Sequence, residues 1–164
     1  MPDSIKTIDN EIHDIELYYR YVTSLPFYYG ERDNRNTPPT GMISELPPKD
    51  SGIYQKLKDI YFKHKQDFCD EYVILDRAYV NCFAPREPAY YHADGNCFTL
   101  LYYANPIWVP NEGGETKFLR GNTDVFSVAP VPGRVVMFDG SLQHTAVPFR
   151  SVHRFTVALK YKKG

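Results

Sequence analysis

Apolar positions change period along this chain. Ile8, Ile12, Ile15, Tyr19 and Val22 recur three and four residues apart, so residues 7–24 read as an amphipathic helix. Ile53, Leu57, Ile60, Tyr61, His64 and Phe68 repeat that spacing and predict a second helix over 51–69. Residues 25–48 follow neither period. There, Phe27-Tyr28-Tyr29 reads as a short strand, 31–40 as a polar loop ending in Pro38-Pro39, and Met42-Ile43 as a return strand before Pro47-Pro48. From Glu71 onward the pattern is that of strands. The candidates are 72–83, 98–103, 115–119, 124–128, 134–138 and 152–161, with loops at 84–88 and 106–114. Gly121-Asn122, Pro132-Gly133 and Asp139-Gly140 mark turns. Short strands with Gly and Pro turns, preceded by helices, predict a mainly β sandwich or jelly roll with the helices packed on one sheet.

A length of 164 residues predicts one domain, with a helix-and-loop part over 1–70 and a β core over 71–164. Nineteen basic residues against 20 acidic ones argue against a generic electrostatic nucleic-acid binder. No apolar run reaches the length of a membrane span, and Met1-Pro2-Asp3-Ser4 does not open a signal peptide, so the expected location is cytoplasmic. Cys69, Cys82 and Cys97 lack zinc-like spacing and read as free thiols, core fillers in a reducing compartment.

The chemistry centres on Tyr90-Tyr91-His92-Ala93-Asp94-Gly95. If this segment is extended, His92 and Asp94 share one face, since alternate strand residues point the same way. His144 offers a third ligand downstream. Two imidazoles and one carboxylate make the facial triad of non-haem Fe(II) oxygenases, which leaves the opposite metal positions open. Against this stands a plain reading: a loop histidine, a turn-forming aspartate before Gly95, and an ordinary polar His144. Arg154 and Thr156 share a face on the last predicted strand, while Phe155, Val157, Leu159 and Tyr161 form an apolar row on the other. That polar face is either solvent, the commoner case for an arginine, or a cavity, where a guanidinium ten residues after His144 suits a carboxylate that it can grip by both oxygens. Tyr103 is either a packing residue or a hydroxyl donor to that same carboxylate. His13 and His64 read as packing or surface residues, His153 as turned away from Arg154, Trp108 as a lid over the core in preference to a substrate wall, and Gly113-Gly114 as a turn.

Taken together, these stretches resemble the 2-oxoglutarate and Fe(II)-dependent dioxygenases, closest to the prolyl 4-hydroxylase-like branch. The matching stretches are Asn81-Cys82-Phe83, His92-Ala93-Asp94, Thr99 to Trp108, Gly113-Gly114-Glu115-Thr116, Pro132 to Gly140, His144, and Arg154-Phe155-Thr156. They span about Tyr79 to Tyr161. The resemblance implies a double-stranded β-helix, the cupin-like jelly roll. It implies His92, Asp94 and His144 as iron ligands, with Arg154 binding the distal carboxylate of 2-oxoglutarate, assisted by Tyr103 and Thr156. Relatives often have Tyr where Phe83 stands. The loop 84–89 also differs from their Gly-rich loop, so Tyr90 or Tyr91 takes over there, and Tyr90 is counted with the co-substrate contacts. Many collagen-type relatives use Lys where Arg154 stands, so the nearer likeness is to Arg-using members. Family halogenases carry a small residue where Asp94 stands, so Asp94 favours hydroxylation. The cofactors implied are Fe(II), 2-oxoglutarate and dioxygen, with ascorbate as a reductant. The implied partner is a proline-containing peptide or protein. The alternatives are another amino acid, side chain or small metabolite, or a non-catalytic cupin-like binding module. Segments 25–48 and 84–89 are expected to flank the pocket mouth.

Overall fold

The computed structural model describes residues 5–47, 52–67 and 73–164. Among these described residues, ten strands and two α-helices follow in the order β1 (Ile5–Ile8), α1 (Ile15–Thr23), β2 (Tyr28–Tyr29), β3 (Met42–Glu45), α2 (Gly52–His64), β4 (Val73–Phe83), β5 (Cys97–Tyr103), β6 (Thr116–Arg120), β7 (Asp124–Val128), β8 (Val135–Asp139), β9 (His144–Ala146) and β10 (Arg154–Lys163). A seven-stranded sheet runs β1-β8-β5-β10-β4-β3-β2, and a three-stranded sheet runs β7-β6-β9. All pairings are antiparallel. This is the expected jelly roll, a double-stranded β-helix with helices on the larger sheet. Among the described residues no helix is long and apolar enough to cross a membrane.

The large sheet is buried on both faces at its centre, which explains why β5 reads as a nearly unbroken apolar run. All seven of its residues are buried. Leu100 and Tyr102 face the helices, in one core with Val22, Leu57, Ile60 and Tyr61. Leu101 and Tyr103 face the small sheet, in a second core with Phe118, Val136 and Phe138. β10 divides in the same way. Val157, Leu159 and Tyr161 join the helix-side core, where Tyr161 stacks on Tyr61 at 3.8 Å between ring centroids. The opposite face of β10, Arg154, Thr156, Ala158 and Lys160, lines a cavity between the sheets.

The N-terminal helix is shorter than its periodicity predicts. Ile5–Ile8 is instead an edge strand paired with β8. Asn10, at φ 64°, turns the chain in the left-handed conformation that Asn tolerates, and the carboxylate of Asp9 receives Nε and Nη2 of Arg134. Ile8 and Ile12 are buried in the helix-side core from a strand and a loop, so their helical spacing was coincidental. The second helix ends at His64 and continues as a single 3-10 turn, Lys65–Asp67. Residues 51, 68 and 69 of that prediction, including Phe68 and Cys69, lie outside the described residues, as does residue 72. β1 and β9 escaped the pattern because four and three residues are too few to show a period.

Candidate metal centre

His92, Asp94 and His144 come together at one end of the cavity, with one ligand atom from each lying within 4.8 Å of the others. A strand was expected at His92–Asp94, but only one bridge forms. His92 N–H donates to His144 O at 3.0 Å, and His144 N–H returns to His92 O at 2.9 Å. After that bridge the chain turns. Asp94 N–H donates to Gly140 O at 2.7 Å, and Gly95 adopts φ +97°. The bridge joins the His92 segment to β9, so the triad's three side chains are fixed by main-chain contacts between loop and small sheet. Gly140 belongs to the same arrangement, since a Cβ there would stand 2.6 Å from Cys97 Sγ.

Both imidazoles are oriented from behind. Nδ1 of His92 lies 3.0 Å from Tyr90 O, and Nδ1 of His144 lies 2.8 Å from Leu142 O. A carbonyl only accepts, so each Nδ1 carries the proton and each Nε2 presents a lone pair. Those lone pairs face Asp94, with Nε2 of His92 3.6 Å from Oδ1 and Nε2 of His144 3.5 Å from Oδ2. Burial pushes His144 down to about 4, against the opposing pull of Asp94. The ring is therefore neutral at ordinary pH. Asp94 has a side chain only 3% exposed. Burial alone would raise its pKa, but His144, Lys160, Thr99 and His92 together hold it below the ordinary value. Oδ2 accepts from Thr99 Oγ1 at 2.7 Å, and Oδ1 lies 3.0 Å from Lys160 Nζ. Two inward lone pairs and an ionised carboxylate are a donor set suited to a divalent transition metal.

Arg154 sits deeper, 2% exposed. Its Nε donates to Gly114 O at 3.0 Å and its Nη2 to Thr116 Oγ1 at 3.2 Å. No carboxylate among the described residues pairs with it, and burial pulls its pKa below the ordinary value. A guanidinium so placed needs an anion. The geometry therefore fits a carboxylate-bearing co-substrate, with Thr156 lining the same cavity. Gly114 is required here: at φ +86° a Cβ would stand 2.2 Å from the Phe149 ring.

Two of the expected co-substrate contacts sit beside the cavity rather than in its lining. The Tyr103 hydroxyl shares a 2.7 Å hydrogen bond with Thr116 Oγ1, and its ring lies 5.7 Å from Arg154 Cζ, so it supports that guanidinium from behind the cavity wall. Neither Tyr90 nor Tyr91 lines the cavity. The main chain of Tyr90 braces His92 and donates its N–H to Asp33 Oδ2 at 2.7 Å. Trp108 is half-buried, and its Nε1 donates to Gly113 O at 2.9 Å, bracing the Gly113-Gly114 turn. Segments 25–48 and 84–89 do reach the mouth, through Glu31, Arg32, Asp33, Thr40 and Ala89. Of the cysteines, Cys82 and Cys97 are free and buried. The sequence reading missed Thr99, Thr116 and Lys160. Lys160 was legible in principle, being an even number of residues from Arg154 on one strand.

Comparison with known proteins extends the picture. A family model described as the 2OG-Fe(II) oxygenase superfamily matches residues 60–161. No curated protein matches the sequence. Among solved structures, the chain is similar to a prolyl hydroxylase from Trichoplax adhaerens, solved with a hypoxia inducible factor oxygen degradation domain peptide fragment. The TM-score is 0.78 at 17% identity, covering 99% of this chain and 84% of that one. A Pseudomonas putida prolyl-4-hydroxylase gives 0.74 at 16% identity, covering 99% and 94%. HygX from Streptomyces hygroscopicus, with nickel and 2-oxoglutarate bound, gives 0.75 at 12% identity, covering 98% and 83%. Identities this low speak to fold alone, but the family match spans well over half the sequence. With the family match, the jelly roll and the His-Asp-His cluster in hand, this chain belongs to the 2OG-Fe(II) oxygenase superfamily.

Proposed function

We propose that this oxygenase hydroxylates a C–H bond of its substrate, consuming dioxygen and 2-oxoglutarate and releasing succinate and carbon dioxide. The observation that carries this is the buried, carboxylate-free guanidinium of Arg154 in the same cavity as the His-Asp-His cluster. His92, Asp94 and His144 would hold Fe(II), and Arg154, with Thr116 and Thr156, would take the distal carboxylate of 2-oxoglutarate. When bound, the ferrous ion and the oxo acid supply the oxidising power. The chain's own residues do the rest. Tyr90 O and Leu142 O fix the imidazoles, Thr99 fixes the carboxylate, and Leu101, Phe138 and Ala158 give the cavity a dry wall. Ascorbate serves as a reductant in this reading.

Peptidyl proline is the substrate we favour, supported by the prolyl hydroxylases among the similar structures, one of them solved with a peptide. A second reading, a small polar substrate, is favoured by the charged mouth formed by Glu31, Arg32, Asp33 and Arg77. Anaerobic addition of Fe(II) and 2-oxoglutarate should give the visible charge-transfer band of the bound pair. A folded protein with no band would be a binding module instead. His144→Ala should abolish iron binding and turnover. Arg154→Ala should weaken 2-oxoglutarate binding while iron still binds, and an unchanged affinity for the oxo acid would reject its role. Mass spectrometry of proline peptides after incubation, read for an added oxygen, separates the two substrate readings.

A further inference from the structure

Granted the iron and 2-oxoglutarate assignment above, on which this rests, we propose that Asn81 is a further co-substrate contact, its side-chain amide donating to the same carboxylate of 2-oxoglutarate that Arg154 binds. Strand register sets the layout of the cavity floor. Arg154 on β10 stands opposite Phe83 on β4, Thr156 opposite Asn81, and Lys160 opposite Arg77, and all six line the cavity. Side chains directly opposite one another stand about 5 Å apart and diagonal ones about 7–8 Å. The Asn81 amide is therefore within reach of an oxygen held by Thr156 and Arg154 together. The metal ligands gather at the other end of β10, where Asp94 meets Lys160.

The guanidinium leaves room for another donor. Its Nε is on Gly114 O and its Nη2 on Thr116 Oγ1, while Nη1 makes no hydrogen bond among the described residues. A carboxylate has about four acceptor sites. The open edge of the guanidinium fills two, and the Thr156 hydroxyl fills a third. Phe83, which faces Arg154, has no hydrogen-bonding group for the fourth. The other polar side chains on that wall are committed. Arg77 is held by Glu31 and Glu45, the Tyr79 hydroxyl by Lys160, and the Thr40 hydroxyl by Pro88 O. Asn81 lines the same wall, half-buried, and its amide makes no hydrogen bond among the described residues. Asn is disfavoured within strands, and β4 is paired on both sides, so packing does not account for it. A carboxylate only accepts, so Nδ2 is the atom that meets it.

The test uses protein loaded with Zn(II), which is redox-inert, and 2-oxoglutarate labelled with carbon-13 in each carboxylate in turn. Calorimetry reads the affinity, and NMR reads the surroundings of each carboxylate. Asn81→Leu keeps the size and removes the amide. It should weaken 2-oxoglutarate binding about tenfold and move the resonance of the bound distal carboxylate, leaving that of the carboxylate beside the keto group in place. Asn81→Asp keeps the shape but sets a second negative charge against the ligand, so it should weaken binding further. Zinc affinity, read by chelator competition, should match wild type in both. If the leucine variant does not fold, Asn81→Ala replaces it. Unchanged affinity in Asn81→Leu overturns the proposal, as does a loss matched by an equal fall in zinc affinity. So does a keto-side resonance that moves as much as the distal one, or Asn81→Asp binding more tightly than the leucine variant. Failure of wild type to hold zinc or 2-oxoglutarate would instead sink the oxygenase assignment.

Discussion

Protonation of His144 should cost the metal-free protein stability in a definite pH window. The ring packs 4.7 Å from Phe138 and 4.4 Å from His92, centroid to centroid, with Nδ1 committed to Leu142 O. Burial lowers its pKa from 6.5 to about 4. Between those values the unfolded chain binds a proton at this position and the folded chain does not, so stability falls as pH falls. The contribution is fully present above the unfolded value and is lost as pH drops through the folded one. From about pH 7.5 to about pH 5, this one group should remove about 2 kcal/mol. Asp94 does not confound the window. Its pKa is lowered, so its contribution persists above the ordinary carboxylate value and is lost only in stronger acid. The assay is urea unfolding of chelator-treated protein at the two pH values, for wild type and His144→Gln. Wild type should lose about 2 kcal/mol more than the variant over that range. Equal losses would refute the claim that a buried neutral imidazole sits at this position.

Three further variants test particular contacts. Thr99→Val keeps the shape but removes the donor on Asp94 Oδ2; metal affinity should fall about 10- to 100-fold, read by competition with a chromogenic chelator, with Thr99→Ser retaining it. Gly114→Ala forces a Cβ toward the Phe149 ring and strains a positive φ, so thermal unfolding should show a loss of about 1–3 kcal/mol. The same change should weaken 2-oxoglutarate binding, because Gly114 O holds Arg154. Tyr103→Phe removes only the hydroxyl partner of Thr116, so it should raise the apparent KM for 2-oxoglutarate severalfold while leaving metal affinity intact.

Much of the fold was legible because its strong elements carry their own period. β5 and β10 have both faces written in their side chains, and the Leu100 face and the Leu101 face bury against different layers. The period misled where an edge strand and a loop happened to place Ile8 and Ile12 in helical spacing with Ile15, the true start of α1. The candidate site was legible for a different reason: its chemistry needs residue types that are rare in combination. His92, Asp94, His144 and Arg154 stand out in the sequence without any knowledge of where the chain runs.

The supporting contacts were not visible in that way. Tyr103 and Tyr90 carry hydroxyls that suit a co-substrate, yet the fold spends one on Thr116 and uses only the main chain of the other. Lys160 looks like any solvent lysine at the end of a strand, until the fold brings its ammonium to the carboxylate of Asp94. The sequence determined by itself which residue types were present and which strand faces were apolar, since those follow from local spacing. Only the tertiary structure decided which polar groups would meet across the cavity, because meetings such as Arg154 with Thr116 and Lys160 with Asp94 join residues far apart in the chain and depend on how two sheets close over one another.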